Sequence, residues 1–350
     1  MNISKKQQSI LSLLLKSKKL SSSAIHNELK AIGEDKALVT VKRTLSEMAE
    51  AELVIVKGAG PSTAYEISTH GRLAADVDAK MYCAMEPDKR YGLGSYNFEL
   101  FSALPANIFS DTELKKMEEA TAEYRKRTMD ISPTVQKKEL ERLVIELSWK
   151  SSKIEGNTYT LLDTEKLILE QREAPGHSKA EALMILNHKT AFDFIHESKA
   201  KFRELSRSNL EELHALLVKD LSVGLGLRTK PVGVLGSKYQ PLDNIHQITD
   251  AVENLARAVS KMDTPYVKAL VALLGISYIQ PFEDGNKRTS RLMANALLMA
   301  HDLAPLSYRS VDEAEYREAT LVFYELNALI PFKRIFVEQY DFAARNYAVR

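Results

Sequence analysis

Gln280-Pro281-Phe282-Glu283-Asp284-Gly285-Asn286-Lys287-Arg288-Thr289-Ser290-Arg291 is a stretch in which one helix stops and another starts. The apolar run from Tyr266 to Ile279 predicts a helix ahead of it, and Pro281 blocks its continuation. Beyond it, Leu292, Ala296 and Met299 recur at helical spacing, so a second helix is expected from about Lys287 with these residues facing a core. Gly285 lets the backbone come close to a ligand. The amides that follow lie at the positive end of the new helix, where phosphate oxygens bind well. Arg288 and Arg291 fall on one helix face and are expected to converge on that place. Asp284 beside them is the candidate Mg²⁺ ligand, since Mg²⁺ takes one or two carboxylates together with phosphates. A plain glycine turn with surface arginines is the simpler alternative; the coincidence of helix stop, glycine, polar loop, helix start and paired arginines favours the anion site.

Outward from this loop the chain reads as helix after helix from Asp111 onward, at about 111–128, 132–151, 160–172, 178–198, 206–220, 244–262, 264–279, 287–302, 311–328 and 332–348. One interruption, Lys230 to Pro241, has Val232, Val234 and Tyr239 flanking a Gly236-Ser237 turn and predicts an isolated hairpin. Asp76 to Pro105 has no helical period, but Tyr91, Tyr96, Phe98 and Phe101 make it an ordered connector rather than a free linker. Before it, Ile10, Leu13, Leu14 and Leu15 predict one helix and Ser21 to Ser23 cap a second carrying Ile25 and Leu29. A third runs from about Thr40 through Val41, Leu45 and Met48. Val54 to Val56 and Tyr65 to Ile67 then form a hairpin around Gly58-Ala59-Gly60-Pro61. Three short helices and a hairpin resemble a winged helix-turn-helix, with Thr40 to Ala51 as recognition helix and Lys57 to Thr63 as wing.

At 350 residues, with 45% hydrophobic and 27% charged, the chain can bury the cores of two domains. Its net charge of +1 supplies no global field for nucleic acid or membrane. The single cysteine, Cys83, has no intramolecular disulfide partner and fits a reducing cytoplasm. The N-terminal apolar stretch is short and runs into Lys16, Lys18 and Lys19, so it reads as a helix of the fold rather than a leader. A soluble, cytoplasmic protein is expected. There is no zinc signature, Walker loop, dinucleotide fingerprint or Gly-x-Ser-x-Gly. His188 and His196 read as surface or satisfied core groups.

Phe282, Asp284, Gly285, Asn286, Lys287, Arg288 and Arg291 resemble the Fic family motif His-x-Phe-x-Asp/Glu-Gly/Ala-Asn-Gly/Lys-Arg-x-x-Arg, with lysine at 287 as in the death-on-curing toxins. Family members transfer AMP, or another phosphate-containing group, from a nucleotide to a protein hydroxyl. The resemblance implies Mg²⁺ on Asp284 and the α-phosphate on Asn286 and the loop amides. It places the β- and γ-phosphates on Arg288 and Arg291, within a nucleotide site of Gly285, Asn286, Lys287, Arg288 and Arg291, and it makes Phe282 a core anchor. Upstream, Ser151-Ser152-Lys153-Ile154-Glu155-Gly156-Asn157 resembles the family's inhibitory helix, Ser/Thr-x-x-x-Glu-Gly/Asn. Ser151, Glu155 and Gly156 carry that match, and Glu155 is expected to pair with Arg291 and block the γ-phosphate. The hairpin at Val232, Val234 and Tyr239 stands where the family has its target-docking flap, which adds an extended target as a strand.

Gln280 departs from the motif, which has histidine there as the general base. A glutamine amide cannot accept a proton near neutral pH, and losing a general base removes roughly 10²–10⁴-fold in rate. His246 or His301 is a weak replacement candidate. The N-terminal module holds ten Lys/Arg against seven Asp/Glu over residues 1–70. Thr40, Lys42, Arg43, Thr44 and Lys57 are its candidate DNA contacts, and protein contact is an equal alternative.

The expectation is therefore a mainly α chain. A winged helix-turn-helix occupies 1–75, a connector 76–110, and an all-helical Fic fold with a small β-hairpin flap 111–350, its inhibitory helix near 145–157. Its expected function is ATP binding with Mg²⁺, by resemblance protein adenylyltransferase activity self-inhibited by Glu155 and weakened by Gln280. The alternative is a DNA-binding regulator whose Fic domain senses nucleotide. Expected partners are ATP, a protein substrate at 232–239 and, under the alternative, DNA through 1–75. A homodimer stays open, and no membrane partner is expected.

Overall fold

The computed structural model describes residues 3–34, 36–129 and 131–349. The chain forms two compact units, Met1–Pro105 with Val234–Gln240 and Glu318–Arg334, and Ala106–Gly233 with Pro241–Arg317 and Ile335–Arg350. Most of the connector expected at 76–110 falls in the first unit, where Tyr82 joins the core, and the second unit begins at Ala106.

In the first unit, Ser4 and Gln7 form a capping box for α1 (Lys5–Lys16), and Ser21 caps α2 (Ser22–Ala31). α3 (Leu38–Glu50) follows, then the antiparallel pair β1 (Val54–Lys57) and β2 (Ala64–Ile67), with Val54 opposite Ile67 and Lys57 opposite Ala64. The core gathers Leu11, Leu14, Ile25, Leu45, Met48 and Val322. On α1 the deeply buried face uses Ile10, Leu11, Leu14 and Leu15, while Leu13, expected in it, is half-buried. Short helices α4 (Thr69–Ala74) and α5 (Ala79–Cys83) follow, the second inside the stretch that showed no helical period. Tyr96 and Phe101 are buried there as expected, whereas Phe98 is exposed.

An ion pair sits inside this unit. Arg90 Nη1 lies 3.2 Å from Glu325 Oε1, and both side chains are buried. The Tyr82 hydroxyl donates to Glu325 Oε2 at 2.7 Å and the Ser237 hydroxyl to Oε1 at 2.7 Å. Arg90 also donates to the carbonyls of Cys83, Met85 and Gly236. A buried charge needs such partners, and here they fasten Gly236 and Ser237 to residues 82–90.

The hairpin expected from Lys230 to Pro241 does not form a strand pair. A turn closes from Ser237 N–H to the Val234 carbonyl at 3.1 Å, and Gln240 makes a single parallel bridge with Ser95. Among the described residues the sole sheet is β1–β2. Pro231 has no N–H for a ladder. Tyr239 is buried against Tyr324, ring centroids 5.6 Å apart, instead of alternating along a strand.

The second unit is helical: α6 (Asp111–Met129), α7 (Pro133–Ile154), α8 (Leu161–Glu170), α9 (Lys179–Glu197), α10 (Arg207–Leu217), α11 (Ile245–Ser260), α12 (Pro265–Ile279) and α13 (Asn286–Met299). α14 (Glu313–Leu326) and α15 (Ile330–Asn346) follow, with Glu318–Arg334 assigned to the first unit. Thr264 caps α12 and Pro265 fills its first turn. α12 is apolar and buried on nearly every side, the mark of an interior helix. It packs against α11 and α13. Gly275 permits the approach of α11: a Cβ there would lie 2.4 Å from Leu255 Cδ1. α13 is equally buried but carries Asn286, Arg288, Thr289, Ser290, Arg291 and Asn295 inside. Buried charges do not stabilise by themselves, so the polar face of this central helix points to a function.

Candidate functional site

The loop between α12 and α13 is built from backbone contacts. Gln280 leaves α12 in the left-handed region, φ 52°, and is buried. Its side-chain Nε2 donates to the Ser277 carbonyl at 2.6 Å, and its Oε1 accepts from Asn286 Nδ2 at 3.1 Å. Asn286 also accepts from the Phe282 amide at 2.8 Å and donates to the Phe282 carbonyl at 2.9 Å. Arg228 Nε donates to the Gln280 carbonyl at 2.6 Å, and its backbone N–H to the Pro281 carbonyl at 2.9 Å. Gln280 is thus a structural amide whose two ends are both engaged.

Phe282 is fully buried, as expected of an anchor. Its ring stacks on His214 of α10 at 3.7 Å between centroids and 4° between planes. His214 Nε2 lies 3.0 Å from the Asp284 carbonyl; a carbonyl only accepts, so Nε2 carries the proton. Burial pushes the His214 imidazole down to about 4, which the Asp284 carbonyl contact opposes. Gly285 takes φ 78°, and a Cβ on it would meet Val218 at 3.2 Å. It provides no side-chain cap for α13, so the first amides of that helix lack an intrahelical acceptor.

The two arginines pair with different carboxylates. Arg288 Nη2 lies 3.3 Å from Asp284 Oδ2, whose carboxylate is 68% exposed. Arg291 turns to α7: Nε donates to Ser151 Oγ, and Nη2 to the Ser151 carbonyl and Glu155 Oε1, each at 2.9 Å. The difference follows from charge, because a buried guanidinium takes the nearest carboxylate. Arg288 Nη1 and Arg291 Nη1 are buried without a hydrogen-bond acceptor, and the Tyr316 side chain also bears on the Arg291 guanidinium. Lys287, whose carboxylate contact the sequence did not suggest, lies 3.5 Å from Glu155 Oε2. Burial by itself would raise the Glu155 carboxyl, but the charges of Arg291 and Lys287 outweigh it and hold it below its ordinary value. Burial works against the Arg291 charge, and Glu155 more than restores it. Arg288 is pulled down by burial, which Asp284 partly offsets.

The end of α7 is fixed elsewhere too. Lys150 Nζ lies 2.5 Å and Lys153 Nζ 3.6 Å from Glu313 Oε1, and Arg317 Nε donates to the Ile154 carbonyl at 3.2 Å. Gly156 then turns the chain at φ 97°.

His188, expected to be surface or satisfied core, is fully buried with both ring nitrogens unpartnered. Burial and the charges of Arg291 and Arg288 push it down to about 3. His246 is exposed at the start of α11, and His301 is half-buried just past α13. Of the flap residues, Val232 and Val234 are half-buried and Tyr239 is buried, so Tyr239 presents no docking side chain. In the N-terminal module Lys42, Arg43 and Lys57 are exposed and Thr40 is half-buried. Thr44 is buried with its hydroxyl on the Thr40 carbonyl, so it cannot reach a base edge. Sequence reading missed His214 and Arg228. A histidine among Leu210, Leu213 and Leu217 on a helix face was the only available signal for the first.

The loop, its anchoring helix and all but the last residue of α13 fall within residues 204–298, which match the Fic/DOC family model. These residues form a Fic/DOC family domain. The protein adenylyltransferase fic-1 of Caenorhabditis briggsae is 26% identical over 199 residues, 55% of this chain and 39% of that protein. The protein adenylyltransferase Fic of Drosophila willistoni is 30% identical over 166 residues, 47% of this chain and 33% of that protein. The chain thus spans about two fifths or less of the length of these curated relatives. Among solved structures, Fic-1 (residues 134–508) from C. elegans superposes with TM-score 0.58 at 20% identity, covering 67% of this chain and 72% of that one. A Fic family protein from Desulfovibrio desulfuricans gives 0.57 at 19% identity, covering 69% and 75%. The mainly helical fold is that of these structures.

Proposed function

We propose that this chain is a Fic-type protein adenylyltransferase that binds ATP with Mg²⁺, is held inhibited by Glu155, and transfers weakly or not at all because Gln280 is no base. The observation that carries the reading is the pair of Glu155 with Arg291, a buried guanidinium on the helix that opens the anion site. In adenylyl transfer a protein hydroxyl oxygen bonds to the α-phosphorus, the bond to the β-phosphate bridging oxygen breaks, and pyrophosphate leaves. The unpartnered donors of Arg288 and Arg291 and the amides opening α13 suit the triphosphate. Asp284, exposed beside them, fits Mg²⁺, which would neutralise phosphate charge when bound. The hydroxyl proton needs an acceptor, and the Gln280 amide, engaged at both ends, is none.

The alternative of a DNA-binding regulator draws no support from the relatives, and on the exposed face of α3 Arg43 is paired with Glu47. No described helix is long and apolar enough to cross a membrane. Calorimetry of Mg²⁺-ATP on the parent and on Glu155→Gly tests the proposal. Binding should be tighter in the variant; absence of heat from both at millimolar-order ATP contradicts it.

A further inference from the structure

We infer that His214 is the positioning residue of the candidate catalytic loop. It holds the Asp284 carbonyl from below, so that the Asp284 carboxylate is presented outward for a metal–nucleotide complex. The inference rests on the proposed reading for its ligand, but its geometry is independent of it. Two contacts from one side chain fix two loop residues on either side of Glu283: the ring face carries Phe282, nearly parallel at 3.7 Å, and Nε2–H holds the Asp284 carbonyl at 3.0 Å. Between carbonyl and carboxylate of Asp284 there is only its own Cα and Cβ, so fixing the first restricts the second. The carboxylate meets Arg288 and is otherwise largely open to solvent.

The neighbours make His214 a platform. Gly285 follows with a backbone that leaves Val218, one turn beyond His214 on the chain, only 3.2 Å from where a Cβ would stand. The loop therefore rests directly on the end of α10. A histidine filling space would need only its ring; this one also uses its donor on the loop. Outer partners that orient a metal-binding group commonly affect metal affinity by about 10–100-fold when removed.

The test uses the full chain in the Glu155→Gly background and two variants. His214→Phe keeps a ring on Phe282 and removes the donor; His214→Gln restores a donor and removes the ring. Two quantities are read: amide hydrogen exchange along the chain, and affinity for ATP with Mg²⁺ and with EDTA. His214→Phe is expected to speed exchange of the Phe282 and Thr289 amides, which donate to Asn286 Oδ1 and to the Gly285 carbonyl, by on the order of tenfold while α10 and α12 stay protected. It should weaken Mg²⁺-ATP on the order of tenfold and leave metal-free ATP within about twofold. His214→Gln should recover most of the loss of Mg²⁺-ATP affinity. Unchanged loop exchange overturns the inference, as does a uniform loss of protection or an equal loss of both ATP affinities. Should the Glu155→Gly parent bind no ATP at all, the nucleotide reading fails, and exchange of the Phe282 and Thr289 amides still decides the role of His214.

Discussion

Lys287 reaches the second oxygen of Glu155, Nζ 3.5 Å from Oε2, while Arg291 occupies the first at 2.9 Å. The two contacts differ in weight. Arg291 is fully buried and bound to Ser151 as well, whereas Lys287 is about one-third exposed and screened by water. Arg291→Met is expected to destabilise the fold by roughly 3–5 kcal/mol, since it leaves Glu155 and Ser151 without their partner. Lys287→Met should cost about 1 kcal/mol or less. Urea unfolding of both variants checks the ranking; equal losses would mean the lysine shares the latch.

Acid should open the same contact. The folded-state carboxyl of Glu155 lies below the 4.5 of an ordinary glutamate. Its contribution is therefore fully present above that value and is lost as pH falls through the depressed one. The stability gap between the parent and Glu155→Gln should stay flat from neutral pH down to about the ordinary glutamate value and shrink below it. Denaturation series across pH measure it. A gap that closes near neutrality would show that another group governs the latch.

Gly285→Ala should destabilise by roughly 1–3 kcal/mol, because alanine resists positive φ and the new methyl meets Val218. Thermal unfolding should show the loss, and Mg²⁺-ATP affinity should fall with it. A variant as stable as the parent would mean the loop readily adopts another path.

In the first unit, Glu325→Ala leaves Arg90, the Tyr82 hydroxyl and the Ser237 hydroxyl without their shared carboxylate. A cost of roughly 3–5 kcal/mol is expected. The turn at Leu235, whose side chain is 99% exposed, should become a faster site of proteolytic cleavage. Unchanged cleavage there would show that the network does not hold Gly236 and Ser237.

Much of this architecture was legible in the sequence. The helices from Asp111 on, the cap at Ser21 and the turn at Gly285 all have local causes, which short stretches of sequence display. The pairing of Glu155 with Arg291 was legible only through family resemblance, since 136 positions separate them. Lys230 to Pro241 misled because alternating apolar residues suggest a strand, while Tyr239 is claimed by a core that no local pattern reveals. His214 and Arg228 went unseen for the same reason. Each acts on backbone carbonyls far along the chain, at 70 and 52 positions' distance, and carbonyls leave no signature in the side-chain sequence.

The central claim is that Gln280 limits the chemistry and Glu155 the access, each separately. It is tested most directly by incubating ATP labelled at the α-phosphate with the parent, Glu155→Gly, Gln280→His and the double variant, and counting label on protein. Only the double variant should label strongly, exceeding Glu155→Gly by roughly 10²–10⁴-fold. If Glu155→Gly alone labels protein at a rate close to that of the double variant, another base serves the site and Gln280 is not the limit.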